Sequence, residues 1–154
     1  MAYAQVAEIL DYALKLQKRV ASVCNQRSST IADEQSKALF ERLCHHEKNM
    51  QAYLKTYTSE ATDGVLDTWI QYSGMEEIDA ALEEINAARD GPAEVLLERI
   101  LSADRHLQEL YRLVAEQANA PRVNEFFDTL LEMEDLKARA IGDNVSQFEE
   151  WRRK

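Results

Sequence analysis

The sequence contains little glycine and little proline, with 4 and 2 residues among 154. Because these residues mark turns and interrupt helices, their scarcity argues against a fold of many short strands joined by tight turns. Apolar residues recur at intervals of three and four instead of alternating, which is the periodicity of an amphipathic helix. The sequence therefore predicts an all-α protein.

Positive charge and long apolar runs are also scarce. There are 18 Lys and Arg residues against 28 Asp and Glu residues, which gives a formal net charge of -10. This charge repels phosphate backbones and anionic lipid surfaces, so we expect neither a nucleic-acid partner nor a membrane partner. No apolar run approaches the roughly 20 residues that a membrane-spanning helix needs, and the first residues do not resemble a signal peptide. We accordingly expect a cytoplasmic protein.

Cysteine is limited to Cys24 and Cys44, and both lie within predicted helices. The chain has no CxxC pair, no Cys/His zinc spacing, no GxSxG nucleophile motif and no glycine-rich phosphate loop. We therefore expect two free thiols and no nucleophilic enzyme. A chain of 154 residues can bury a substantial core without disulfides or metals, so we predict one domain over residues 1–154.

Four long helices are predicted, and short turns pair them into two antiparallel hairpins. The predicted parts are a first hairpin over residues 3–59, a connector over 60–91 and a second hairpin over 92–152. Asp33 is the expected N-cap of the second helix. Pro92 lies in the first turn of the third helix, and Pro121 opens the fourth, whose inward stripe is expected to include Ala138.

The connector is too long for a structureless loop in a compact domain. Its apolar residues predict a short helix around residues 65–70 and a longer helix that buries Ile78, Leu82 and Ile85. Such a connector permits a crossover between the hairpins. Trp69 is expected either to anchor the connector or to form part of an interface between two copies of the chain, and we expect a homodimer.

The two hairpins look like an internal repeat, because a shift of 87 residues aligns them without a gap. Each long helix carries one polar residue on its apolar stripe, and the repeat pairs Gln17 with Asp104 and Glu47 with Glu134. Within each hairpin the two polar residues are equally far from the turn. The sequence therefore predicts that all four meet in one layer between the helices.

With this layer, the sequence resembles the ferritin-like superfamily, and is closest in pattern to its rubrerythrin-like and bacterioferritin-like branches. The residues that carry the resemblance are the stretch "ILSADRHLQELYRLVAEQA" in the third helix, "FFDTLLEMEDLKARAI" in the fourth, and Glu47 in "RLCHHEKNM". The resemblance covers both hairpins. It implies a ferritin-like four-helix bundle with a crossover connector, and in the family this bundle holds two iron or manganese ions through one glutamate from each of helices one and three and a Glu-x-x-His motif from each of helices two and four.

The implied ligand positions depart from the family pattern at several places. Glu47 and Glu134 match, and Asp104 replaces a glutamate with a shorter carboxylate. Gln17 stands at the remaining glutamate position. The two histidine positions are Met50 and Lys137, and Lys137 is no metal ligand while it is protonated. Three carboxylates thus remain, and the expected site is degenerate.

We expect Lys137 to form an ion pair with Glu47, Asp104 or Glu134, with Gln17 supplying hydrogen bonds. One cation cannot neutralise three anions, so at least one carboxyl should have a raised pKa or reach water. If a metal is bound nonetheless, iron or manganese is the candidate, and its ligands would be Glu47, Asp104 and Glu134 with His46 beside them.

Three functional interpretations follow. The first is a ferritin-like protein without a standard di-iron centre, whose role the sequence does not assign. The second is an atypical metal-binding oxidoreductase or iron-handling protein of the rubrerythrin or ferritin type. The third is a helical scaffold that binds a small molecule or a partner protein.

Overall fold

Helices make up most of the described chain. The computed structural model describes residues 3–60, 66–71 and 75–153. The helices within these ranges are α1 (Val6–Thr30), α2 (Glu34–Glu60), α3 (Met75–Ala88), α4 (Ala93–Gln117) and α5 (Pro121–Arg153). The all-α prediction is thus confirmed, and the four longest helices are the four predicted from periodicity.

The long helices pack side by side around a shared core. Helix α1 packs against α2, α4 packs against α5, and α2 also contacts α5. Helix α3 lies against α4 and α1. The core consists of aliphatic and aromatic side chains from all five helices, and it encloses one layer of polar residues.

The helix boundaries follow local signals that the sequence displays. The Asp33 carboxylate accepts hydrogen bonds from the Ser36 backbone N–H (2.9 Å) and hydroxyl (2.5 Å), which caps the start of α2 as predicted. Helix α4 begins just after Pro92, and α5 begins at Pro121. The Asn124 side-chain amide donates to the Ala115 and Ala118 carbonyls at 2.6 and 2.8 Å and thereby fastens the turn between α4 and α5.

A short antiparallel ribbon was not predicted. The first helix was expected to begin near Tyr3, but residues Tyr3–Gln5 form strand β1 and pair with strand β2 (Trp69–Gln71). The register places Tyr3 opposite Gln71, Ala4 opposite Ile70 and Gln5 opposite Trp69. The ribbon ties the start of the chain to the connector.

The connector is partly as expected. Its longer helix is confirmed as α3, in which Ile78, Leu82 and Ile85 are buried. The predicted short helix is wrong where β2 replaces it, and Val65 lies outside the described residues. Ile70 anchors this segment in the core, whereas Trp69 is exposed.

One predicted core position in α5 is also wrong. Ala138 is exposed, because Lys137 takes the inward position that follows Glu134 along the helix. Successive residues differ by about 100° around a helix, so burial of Lys137 turns its neighbour towards solvent. The inward stripe of α5 therefore continues through a charged residue.

Candidate functional site: a lysine surrounded by three carboxylates

The predicted polar layer forms between the four long helices. Helix α1 supplies Gln17, α2 supplies Glu47, α4 supplies Asp104, and α5 supplies Glu134 and Lys137. All five side chains are buried among apolar residues. The prediction of one polar layer, made because the two polar residues of each hairpin are equally far from its turn, is therefore confirmed.

The ammonium of Lys137 lies at the centre of the layer. Its Nζ atom is 2.5 Å from Glu47 Oε1, 2.8 Å from Asp104 Oδ1 and 2.8 Å from Glu134 Oε2. The expected ion pair is thus confirmed, and it involves all three carboxyls at once. We call these four residues the lysine–carboxylate cluster.

Gln17 and Tyr111 extend the cluster on one side. The Gln17 Nε2 atom lies 3.4 Å from Glu134 Oε1 and 3.3 Å from the Tyr111 hydroxyl oxygen, and donates to both. Tyr111 is fully buried, so the amide provides the polar partner that its hydroxyl requires. Tyr111 follows Asp104 by seven residues, which places both on one face of α4.

The cluster has three acids and one base, and the pKa values of two of the acids, Glu47 and Glu134, are raised. Burial, followed by the nearby Asp104 carboxylate, raises the pKa of Glu47 well above its usual range, although Lys137 opposes the shift. Burial also raises the pKa of Glu134 to about 7, against the attraction of Lys137. The expectation of a raised carboxyl pKa is confirmed for both residues.

Lys137 remains charged for the opposite reason. Burial disfavours its ammonium form, but the carboxylates of Asp104, Glu47 and Glu134 more than offset this and hold its pKa well above the usual range. A protonated lysine has three donors and no lone pair. In this form Lys137 is therefore neither a base nor a nucleophile.

Several oxygen atoms of the cluster and of the adjacent Gln17 have no hydrogen-bond partner among the described residues. They are Gln17 Oε1, Glu47 Oε2 and Asp104 Oδ2. Glu134 Oε2 and Asp104 Oδ1 also lack a well-aligned hydrogen bond, but each lies 2.8 Å from the ammonium. The cluster is consequently held by charge more than by directed hydrogen bonds.

The remaining candidate residues are close to the cluster but are not part of it. Met50 is buried in the core. His46 is half-buried, and its pKa is lowered by burial and by the charge of Lys137, so its ring is neutral at pH 7. His45 is exposed, and its ring lies 3.3 Å from the Asn49 side-chain amide.

The donor set does not fit a pair of metal ions. The position between the three carboxylates is filled by the Lys137 ammonium, which repels a divalent cation and cannot ligate one while protonated. Met50 offers a soft thioether, which suits hard divalent ions poorly. Within the described ranges, no group of three or more His, Cys, Asp or Glu side chains is arranged to hold a metal ion.

The two cysteines are buried and free, as expected. Burial, followed by the charge of Glu47, raises the pKa of Cys24 well above its usual value. The Cys44 thiol points to the Ala21 carbonyl oxygen at 3.5 Å. A thiol with a raised pKa is a poor nucleophile.

Comparison with family models, with curated proteins and with solved structures yields no match to this chain. None of the helices in the described part of the chain is both long enough and apolar enough to cross a membrane.

Proposed function

We propose that this protein is a ferritin-like four-helix bundle in which a lysine ammonium takes the place of the family's metal ions. On this proposal the protein has no ferroxidase or peroxidase activity, and its role is that of a helical scaffold or binding module. The observation that carries the proposal is the position of Lys137 Nζ within 2.8 Å of three carboxyl groups from three helices.

The resemblance supports this proposal residue by residue. Glu47, Asp104 and Glu134 occupy three of the positions at which the family has metal-ligating glutamates, and in the structure their carboxyls face one point. Lys137 occupies one of the family's histidine positions. Convergent carboxylates in an apolar core require a compensating cation, and Lys137 supplies it from within the chain.

Packing of the long helices also supports the bundle. Contacts of α1 with α2, α2 with α5, α5 with α4, and α4 with α1 close a ring of four helices. The connector between α2 and α4 then takes the place of the crossover segment of the family.

An iron-binding experiment tests the proposal. The untagged protein and two variants, Glu47→Ala and Met50→His/Lys137→His, are reconstituted anaerobically with ferrous iron and separated from free metal, and bound iron per chain is measured. We expect far less than one iron in the wild type and in Glu47→Ala. The double variant restores both Glu-x-x-His motifs and removes the cation, so it should bind up to ~2 ions per chain.

The result that would overturn the proposal is stoichiometric iron in the wild type that is lost in Glu47→Ala. That result would favour the interpretation as an atypical metal-binding oxidoreductase or iron-handling protein. Because the decisive comparison uses the wild type and a single truncation, it holds even if the double variant folds poorly. Circular dichroism of each variant confirms that the bundle is intact before metal is added.

A further inference from the structure

A cavity of about 470 Å³ lies where the last turn of α1 meets the end of α3. The residues that line it are Gln26, Arg27, Ser29, Thr30, Arg89 and Asp90. All of them except Arg27 are exposed, so the cavity is open to solvent. Arg27 follows Gln17 by ten residues, ~15 Å along α1. The cavity is therefore separate from the lysine–carboxylate cluster.

The guanidinium of Arg27 has no partner in the described part of the chain. Its Nε atom is buried and makes no hydrogen bond there, and none of the ion pairs formed between described residues includes Arg27. A buried donor without an acceptor lowers stability, so native proteins pair nearly all such groups with protein, water or a bound ion. The unpaired Nε thus indicates an acceptor from outside the chain.

Arg89 brings a second cation to the cavity and is only weakly paired. Its Nε atom lies 3.6 Å from Asp90 Oδ2, and the side chains of the two residues are 45% and 88% exposed. An exposed ion pair at this distance contributes little to stability, and it occupies only one of the guanidinium donors. Two guanidinium groups therefore line one cavity with donors that no described residue accepts from.

The end of α1 would repel an anion if its carbonyl groups were unpaired, because a helix C-terminus carries partial negative charge. The hydroxyls of Ser28, Ser29 and Thr30 each donate to the carbonyl three residues earlier, at 2.9, 2.7 and 3.1 Å. The Ile31 N–H also donates to the Arg27 carbonyl at 3.0 Å. These hydrogen bonds reduce the negative charge that the last turn presents to the cavity.

Cations are also concentrated along the groove between α1 and α3. A second cavity, of about 600 Å³, lies between the same two helices. Together the two cavities are lined by five cations and three acids, whereas the whole chain has a formal charge of -10. The cations are Lys15, Lys18, Arg19, Arg27 and Arg89. Because charges beyond about 8 Å are largely screened at physiological ionic strength, a small anion in this groove meets a locally positive surface.

We propose that the cavity between Arg27 and Arg89 binds the phosphate group of a small phosphate monoester. A guanidinium presents a planar fork of donors that matches two oxygens of a phosphate. A phosphate monoester carries nearly two negative charges above pH 7, which balance two arginines, whereas one guanidinium satisfies a carboxylate. The cavity is much larger than a phosphate group and has the size of a small-molecule site, so it has room for the rest of the molecule.

The charge of the chain limits the ligand to a small molecule. A long polyanion such as nucleic acid would extend over the acidic remainder of the surface and be repelled by it. The proposal gives the binding-module role a ligand class and depends on no property of Lys137. The iron experiment and the experiment below can therefore fail separately.

Chemical-shift titration of the isotope-labelled protein at about pH 8 and moderate salt tests the proposal. The probes are inorganic phosphate and glycerol phosphate, and acetate is the carboxylate for comparison. We expect saturating shifts of the backbone amides around Arg27 and Arg89, with a dissociation constant on the order of 1 mM for glycerol phosphate. Acetate should bind at least about tenfold more weakly.

Four variants locate the site. Arg27→Gln and Arg89→Gln each remove one guanidinium and should weaken the binding of glycerol phosphate at least about tenfold. Asp90→Asn removes the acid of the cavity and should strengthen the binding. Arg112→Gln is the matched control, because it makes the same change of charge at an exposed residue of α4 that lines neither cavity, and it should leave the binding unchanged.

Circular dichroism verifies that each variant is folded, and Arg89→Gln stands alone as the test if Arg27→Gln is not. The absence of saturating shifts with both phosphate probes overturns the proposal. So does binding that Arg27→Gln and Arg89→Gln leave intact, or that Arg112→Gln weakens equally. Acetate that binds as tightly as glycerol phosphate would also overturn it, since the cavity would then not select phosphate.

Discussion

Replacing Lys137 with methionine is expected to destabilise the protein by about 3–5 kcal/mol at pH 7, the usual effect of breaking a buried ion pair. Lys137 is almost completely buried, and its ammonium is within 2.8 Å of three carboxyls. Methionine has a similar volume, so the loss of stability comes from the missing charge and not from a cavity. Urea unfolding of both proteins measures the difference, which should appear as a lower midpoint with an unchanged slope.

Two further measurements distinguish the loss of charge from damage to packing. Lys48→Met makes the same substitution at an exposed lysine next to Glu47 on α2 and should change the stability by less than about 0.5 kcal/mol. The effect of Lys137→Met should also shrink near pH 5, because Glu47 and Glu134, whose pKa values are raised, then hold their protons at little cost. An unchanged midpoint for Lys137→Met at pH 7 would refute the ion-pair model of the cluster.

Glu134→Gln is expected to change the stability in the opposite direction. The cluster contains three acids and one base, and an amide in place of Glu134 removes surplus negative charge while it keeps the shape and a hydrogen-bonding group. We expect this variant to be as stable as the wild type or more stable at pH 7. Opposite effects from two substitutions in one buried cluster would show that the excess of negative charge limits its stability.

The cluster could be predicted from the sequence because helices fix distances. Once the turns are located near Asp33 and Pro121, residues equally far from a turn lie at the same height, so Gln17 lies level with Glu47 and Asp104 level with Glu134. Buried acids in both hairpins require a cation, and Lys137, three residues after Glu134 on the same helix, was the lysine close enough to supply it. Neither step requires long-range information beyond the pairing of the helices.

The ribbon could not be predicted, because it depends on contacts between distant parts of the chain. A strand of three residues is too short to display alternation, and Tyr3–Gln5 continues without a break into α1. What makes it a strand is pairing with Trp69–Gln71, far along the chain. The hydrogen bonds between the Gln117 side chain and the Gln71 backbone are equally non-local. Periodicity carries no signal of such contacts, so the ribbon became visible only in the folded chain.

The stability of this protein is expected to fall as the pH rises from about 4.5 to 7. Glu134 has a pKa of about 7 in the folded chain against an ordinary value of 4.5. Between these values the unfolded chain has lost the proton that the folded chain retains. The contribution of a group with a raised pKa to the free energy of unfolding is fully present below its pKa in the unfolded chain. It is lost as the pH rises through its pKa in the folded chain. For Glu134 this contribution amounts to ~3 kcal/mol.

Three other titrating groups also affect how the stability depends on pH. Glu47 also has a raised pKa, so it adds to the decline. His46 has a lowered pKa, so its contribution is lost as the pH falls and opposes the decline below about pH 6.5. Lys137, whose pKa is raised, loses its contribution only above its ordinary value of 10.5, outside this window. The wild-type curve alone therefore does not isolate Glu134.

The comparison that isolates it is between the wild type and Glu134→Gln, unfolded with urea at several pH values from 4.5 to 7.5. His46 and Glu47 are present in both proteins, and an amide does not ionise. The stability of the wild type relative to the variant should therefore fall by ~3 kcal/mol across the window, at up to about 1.4 kcal/mol per pH unit. Parallel curves would contradict this prediction. They would mean that Glu134 is already ionised in the folded chain at pH 5, because the Lys137 ammonium alone stabilises its carboxylate.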